Sequence, residues 1–351
     1  MFFKKIVNGL TGVAAISIVL IALVNFLPNG LFSSLDSEIE KVEIRNSLSG
    51  RVGSDGPILA VKIDDTAQAH PQAGLEDADI VYIEQVEGGL TRLAAIFSSK
   101  IPALVGPVRS ARISDIEILE QFGRVVFAYS GAQKKLLPVI AEANVINLGA
   151  QRQSPKIYPT DPLRRSPTAM MLQAQDLMAN VAKDALPVAV SKSIGWTFGD
   201  KPDTGTAVSG VKVSWPAHFY SATWSEVEKR WLLSHAGKPN LSASGVHLGP
   251  TTFVIQLVSI TDSIYRDKVG GVTPYSETVG AGKGFVLRDG FAIAANWSRP
   301  SGDQGTTWTT ASGDEIKFAA GQVWIALTDR APVFTPAAMA NKEDAPQPSA
   351  K

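Results

Sequence analysis

Ile58-Leu59-Ala60-Val61-Lys62-Ile63-Asp64-Asp65, followed by Ile80-Val81-Tyr82-Ile83-Glu84 and Leu90-Thr91-Arg92-Leu93-Ala94-Ala95-Ile96-Phe97, are three short apolar runs with isolated charges at or near their ends. Apolar runs of this length, bounded by Gly, Asp and Pro, read as buried strands. Val125–Tyr129 is a fourth run. Between the runs lie helix signals. Ser114 with Glu117 three residues later forms a capping-box pattern, and Gly123 supplies a stop. Ser130 and Gln133 repeat the pattern ahead of Leu136, Leu137, Ile140 and Ala141, with Pro138 expected to shorten that helix. Ser166-Pro167 offers an N-cap and a first-turn proline, after which Met170, Ala174, Leu177, Met178 and Val181 keep helical spacing. The alternation predicts an α/β domain over residues 51–184.

Beyond a Gly- and Pro-rich connection at 185–206 the helical periodicity disappears. Val211–Trp215, Thr252–Ile260 and Phe285–Leu287 read as strands, and Asp289-Gly290 and Ser312-Gly313-Asp314 read as hairpin turns. A mainly β domain is expected over 207–330. All seven Trp lie in this part or in the connection, where they are expected to fill the core. The tail at 331–351 carries four Pro and is expected to be disordered.

The N-terminus carries a different signal. Ile6 to Leu27 holds no charge and as a helix would cover about 33 Å, enough to span a bilayer. Lys4 and Lys5 precede it, and no basic residue follows until Lys41. This asymmetry predicts a cytoplasmic stub and transmembrane anchor over 1–32, a stalk over 33–50, and an extracytoplasmic remainder. No pair of small residues follows at the spacing a signal peptidase needs, so the anchor is expected to stay uncleaved. The expected fold class is therefore α+β: a transmembrane helix, an α/β domain and a mainly β domain.

Composition narrows the chemistry. The 351 residues contain 33 Lys+Arg, 33 Asp+Glu and no Cys. Disulfides, thiolate nucleophiles and Cys-based metal sites are excluded, and a neutral total gives no field to gather nucleic acid. Cofactors are not expected. The four His, at 70, 218, 235 and 247, show no metal-ligand spacing and read as surface or turn residues, so no metal site is expected. Charge is nevertheless uneven: residues 36–91 hold twelve acidic and four basic side chains, residues 92–165 eleven basic and five acidic.

Two groups of candidates follow. Gly88-Gly89-Leu90-Thr91-Arg92 and Gly106-Pro107-Val108-Arg109-Ser110-Ala111-Arg112 place Arg92, Arg109 and Arg112 beside flexible backbone at Gly88 and Gly89, beside Ser110, and ahead of a helix start. Such guanidinium forks suit a carboxylate or phosphate. The same arginines could instead form a structural ion network with Glu84, Glu87, Asp64 and Asp65. Those four carboxylates at strand ends are also candidates for acid/base cleavage of a glycan.

Ile63-Asp64-Asp65, His70-Pro71-Gln72-Ala73-Gly74-Leu75, Ala78-Asp79-Ile80-Val81-Tyr82, Glu84, Glu87–Arg92 and Gly106–Arg112 together resemble the YerB-like bacterial lipoprotein family, also called the domain of unknown function 3048 family. The resemblance extends over residues 50–330, in the second half mainly through Gly280–Gly284, Asp289-Gly290, Trp297 and Gly321–Trp324. It implies an exported, membrane-tethered protein in two parts. Many relatives carry a lipid-modified Cys, absent here, and a His-Asn-Leu-Tyr-like stretch where this chain reads Pro167-Thr168-Ala169-Met170-Met171. The leading functional expectation is an envelope protein that binds an anionic glycan or peptide and supports cell-wall assembly or remodelling. A wall-glycan hydrolase or lyase, and a scaffold for another envelope protein, are the alternatives.

Overall fold

The computed structural model describes residues 43–337. The expected anchor at residues 6–27 therefore lies outside the described residues. The first strands are β1 (Leu59–Asp64), β2 (Ile80–Gln85), β3 (Thr91–Phe97), β4 (Leu104–Val105), β5 (Val125–Ala128), β6 (Val145–Asn147) and β7 (Leu172–Gln173). They are followed by β8 (Thr206–Trp215), β9 (His218–Ser225), β10 (Arg230–His235), β11 (Lys238–Pro239), β12 (Thr252–Leu257), β13 (Ile260–Arg266) and β14 (Val272–Ser276). The last are β15 (Gly280–Arg288), β16 (Phe291–Arg299), β17 (Thr307–Thr309), β18 (Val323–Thr328) and β19 (Val333–Pro336). The α-helices are α1 (Ile113–Glu120), α2 (Leu136–Glu142) and α3 (Ala174–Lys183).

Fifteen strands form one sheet, in the order β11-β10-β9-β8-β16-β15-β12-β18-β2-β3-β1-β5-β6, with β17 added at β16 and β19 at β8. This corrects the expected fold class. Among the described residues three α-helices stand against nineteen strands, and strands of both halves share one sheet, so the first half does not form an α/β layer of its own. Nor is any described helix long and apolar enough to cross a membrane. The short turn Val86–Leu90 forces β2 and β3 to pair antiparallel. The longer β1–β2 connection, built on single turns of 3₁₀ helix, carries the chain past so that β1 takes the other edge of β3, also antiparallel. The parallel neighbours in this half are β1–β5 and β5–β6, the latter joined by a crossover through α2. The second half joins the same sheet, because β18 pairs parallel with both β2 and β12.

Every residue of β1, β3 and β18 is buried, which explains their continuous apolar reading. Leu59, Val61, Ile63, Leu93, Ala95 and Trp324 face one core, closed partly by Leu177, Met178 and Val181 of α3. Ala60, Tyr82, Ala94, Ile96 and Ile325 face the other, closed by Ile118 and Leu119 of α1 and Leu136 and Ile140 of α2. Six of the seven Trp are buried, as their clustering predicts. The Asp289-Gly290 turn joins β15 to β16 with both residues at positive φ (50° and 76°), the geometry a two-residue hairpin demands.

Three local readings change. The α1 cap is Arg112, whose N–H donates to Asp115 Oδ2 at 2.6 Å. Glu117 instead accepts from the Thr278 and Val279 N–H groups at 2.6 and 2.9 Å. Helix α2 begins after Gln133, whose Oε1 takes the Lys135 and Leu136 N–H groups, and Pro138 falls in its first turn, where a missing N–H costs nothing. Helix α3 starts at Ala174 rather than at Pro167, since Leu172–Gln173 is drawn into pairing with Leu104–Val105. At the margins, Asn46 and Leu48, read as stalk, are buried, and Val333–Pro336, read as tail, pairs with β8.

Candidate functional site

Three strands carry charge into the core at one level. Asp64 and Glu84 are the register partners of Arg92 on either side of β3, so all three side chains leave the same face of the sheet. Lys62, two residues before Asp64, shares that face. The segment after β4 docks beside them, with the Asp64 N–H donating to the Pro107 carbonyl at 2.9 Å and the Arg109 N–H to the Lys62 carbonyl at 2.8 Å. That docking brings Arg109, Ser110 and Arg112 to the charged strand ends.

Most of these charges are paired. Lys62 Nζ, wholly buried, is bonded to Glu84 and lies 2.7 Å from Asp115 Oδ1. Burial, and then the neighbouring Asp115, push the Glu84 carboxyl up to about 7 against the pull of Lys62 and Arg112. Arg109 Nε meets Asp64 Oδ2 at 2.6 Å. Arg112 clamps Glu87 Oε2 through Nε and Nη2 at 2.9 and 2.7 Å, while Thr273 donates to the other oxygen. Burial would raise the Glu87 carboxyl, but Arg112 and these hydrogen bonds leave it below its ordinary value.

Arg92 is the exception. It is 8% exposed and its Nη1 donates to the Ser110 carbonyl at 2.8 Å, yet among the described residues no carboxylate lies within ion-pair distance of it. Burial, then the adjacent Arg112 and Arg109, lower the guanidinium to about 9, which still leaves it charged at neutral pH. Buried charges are normally paired. Here a buried cation sits among two others, with an open space beside it. That space is a cleft of about 760 Å³ whose walls carry six basic side chains, Arg92, Arg109, Arg112, Lys134, Arg266 and Lys268, against two acidic ones, Glu87 and Asp267.

The four candidate carboxylates do not converge. Asp64, Glu84 and Glu87 are each held by a cation, and Asp65 points to the opposite face, where it accepts from Tyr220 Oη at 2.6 Å and Thr91 Oγ1 at 2.5 Å. Ser110 contributes its carbonyl, shared by Arg92 and Arg112. Gly88 and Gly89, both at positive φ (69° and 72°), shape the turn into β3 and are not among the cleft walls. Lys62, Asp115, Arg266 and Lys268 join the site without a motif in the sequence to mark them. Lys62 was legible as a lone charge inside an apolar strand. Nothing local could have placed the β13–β14 tip, with Arg266 and Lys268, over this cleft.

The histidines are also rearranged. His70, His218 and His235 gather around Asp65, and His235 is buried rather than on the surface. Burial lowers His218 to about 4 and lowers His235 as well, against the attraction of Asp65. Burial alone would raise the Asp65 carboxyl, but the His70 contact and the nearby His235 and His218 hold it at about 2. Asp65, His218 and His235 are the group among the described residues that could hold a metal ion.

Both segments of this architecture match one family of sequences. The profile described as "Protein of unknown function (DUF3048) N-terminal domain" matches residues 47–187, and the corresponding C-terminal domain matches residues 211–325. The chain belongs to the DUF3048 family. One DUF3048 relative, "Putative lipoprotein YerB" of Bacillus subtilis (strain 168), is 41% identical over 81 residues, which cover 22% of this chain and 24% of that protein. The match thus spans about a quarter of the curated relative's length. The crystal structure of the YerB protein from Bacillus subtilis superposes with a TM-score of 0.71 at 19% identity, covering 84% of this chain and all of that one. At that identity the likeness speaks for the fold. In DUF3048 terms the cleft draws on both domains: its arginines come from the N-terminal one, and Arg266 and Lys268 from the C-terminal one.

Proposed function

We propose that this DUF3048 protein is held at a membrane through the uncharged stretch at residues 6–27 and works on the extracytoplasmic side as a binding protein for an anionic envelope component, glycan or peptide. In that role it supports cell-wall assembly or remodelling. The single observation that carries the reading is Arg92, a buried guanidinium with no carboxylate partner, opening into a cleft walled mainly by basic side chains. Arg109 and Arg112 are fixed by Asp64 and Glu87, so they position the site and offer their remaining N–H donors. Arg92 supplies the uncompensated charge. A ligand carboxylate or phosphate would provide the counter-charge that the fold leaves out. The lipoprotein name of the Bacillus subtilis relative supports the envelope location.

The test is titration of the full chain, in detergent, with soluble polyanionic wall polymer at two salt concentrations. Saturable binding, weakened by salt and reduced at least about tenfold by Arg92→Gln, is expected. An Arg92→Gln protein that binds as the wild type does, or a wild type that binds no polymer, would refute the reading.

A further inference from the structure

Asp65, His70, His218 and His235 meet on the face of the sheet opposite the arginine cleft, and anion binding makes no use of them. Asp65 is 2% exposed. Its two oxygens are held by the Tyr220 and Thr91 hydroxyls, both neutral donors. Among the described residues no Lys or Arg lies within ion-pair distance of it. Its nearest nitrogen bases are imidazoles, with His70 Nε2 at 3.4 Å and His235 Nε2 at 3.6 Å from Oδ1. The fold therefore buries a carboxylate without a fixed cation, which is costly unless something supplies the missing charge.

The imidazoles are arranged as a fan. The His235 ring lies 3.9 Å from that of His70 and 4.2 Å from that of His218, tilted by 37° and 39°. The Nε2 atoms of His70 and His218 are buried and have no hydrogen-bond partner. His70 Nδ1 lies 3.1 Å from Asn240 Oδ1. An oxygen at that position takes the ring proton and leaves the Nε2 lone pair free, the arrangement that orients metal-bound histidines. One ligand atom from each of Asp65, His218 and His235 lies within 4.8 Å of the others.

We propose that Asp65, His218 and His235, with His70 as the fourth ligand, form a binding site for a divalent first-row transition-metal ion. Three imidazoles and one carboxylate suit zinc, cobalt or nickel rather than magnesium or calcium, which take oxygen ligands. Ligand bonds of about 2.0–2.2 Å require the side chains to draw inward by about an ångström, and His235 Nε2 to give up its 2.8 Å contact with the Asp65 carbonyl. Tyr220 and Thr91 already orient the carboxylate through one hydrogen bond to each oxygen. Asp65 and His70 belong to the N-terminal DUF3048 domain, His218 and His235 to the C-terminal one. The ion would clamp the two domains together.

The full chain, stripped with chelator, is to be titrated with zinc by calorimetry and with cobalt by visible absorption. One ion per chain is expected, with the intense cobalt bands of a four-coordinate site and a rise in Tm of about 5 °C at saturating zinc. Affinity should fall about 100-fold or more in His218→Ala and in His235→Ala, and stay unchanged in His247→Ala, since His247 Nε2 is bonded elsewhere, to the Leu233 carbonyl. Wild-type stoichiometry and affinity in the two ligand variants would overturn the proposal, as would the absence of zinc binding. Should those variants not fold, wild-type crystals soaked in zinc decide the matter. An anomalous peak between Asp65 and the three rings supports the site, and a peak elsewhere or none refutes it.

Discussion

Asp64 and Asp65 are neighbours in the chain and belong to opposite faces of the sheet. Asp64 meets Arg109 at 2.6 Å beside the arginine cleft, and Asp65 accepts from Tyr220 at 2.6 Å among the histidines. Thr91 and Arg92 part in the same way on the adjacent strand, the Thr91 hydroxyl donating to Asp65 and the Arg92 guanidinium to the Ser110 carbonyl. The period of two along a strand thus builds two chemically separate sites from two dipeptides.

The arginines differ in what their loss exposes. Arg109→Gln leaves the buried Asp64 carboxylate without its cation, and a loss of about 3 kcal/mol is expected, at the lower end for a buried pair because Arg109 is partly exposed. Arg92→Gln strands no acid and relieves repulsion from Arg112 and Arg109, so stability should change by less than about 1 kcal/mol. Urea denaturation of both variants checks this; equal losses would mean that Arg92 has a structural partner after all.

Glu84 makes stability depend on pH. Its carboxyl in the folded protein is raised to about 7 by burial and by Asp115, above its value in the unfolded chain. Between about 4.5 and 7 the native state therefore holds a proton that the unfolded state has released. The stabilisation from this group is complete below the unfolded value and is lost as pH rises through the folded one, by an amount on the order of 3 kcal/mol. Glu84→Gln mimics the protonated form, so its stability relative to wild type should climb across that window. Parallel curves for the two proteins would contradict the assignment.

Lys62 holds two acids at once. Lys62→Met removes the cation from Glu84 and Asp115 together, and a loss of about 3–5 kcal/mol is expected, enough to threaten folding. Adding Glu84→Gln to Lys62→Met should restore a measurable part of the loss. A double variant no more stable than the single one would show that Asp115 dominates the penalty.

Gly88 and Gly89 separate backbone strain from crowding. A Cβ at Gly88 meets nothing within 4 Å, so Gly88→Ala should cost only the positive-φ penalty of about 1–2 kcal/mol. At Gly89 a Cβ would lie 2.5 Å from Pro216 Cβ and 2.9 Å from the Ala217 nitrogen, so Gly89→Ala should have the clearly lower Tm. Equal melting temperatures would count against the close approach of this turn to the start of β9.

The strands were legible because each is decided by its own few residues. Leu59–Asp64, Thr91–Phe97 and the Asp289-Gly290 hairpin announce themselves through apolar runs and a turn that only certain residues can form. The three arginines and their proximity to strand-end carboxylates were also local facts, since all fall between residues 64 and 112. What the tertiary structure alone decided depends on residues far apart in the chain. The pairing of Ile80–Ile83 with Val323–Ala326 joins the two halves in one sheet, because the edge groups of β2 and β18 find their partners across some 240 residues, a separation no local pattern reports. Arg92 is unpaired, and Arg109 and Arg112 are not, through the docking of Gly106–Arg112 on β1. The histidines, read singly as surface residues, converge because β9 and β10 lay His218 and His235 over Asp65 from beyond residue 215. Periodicity and turn chemistry act over a few residues, whereas a site is assembled by packing, which brings distant side chains together at a cost or gain that only their final neighbours determine.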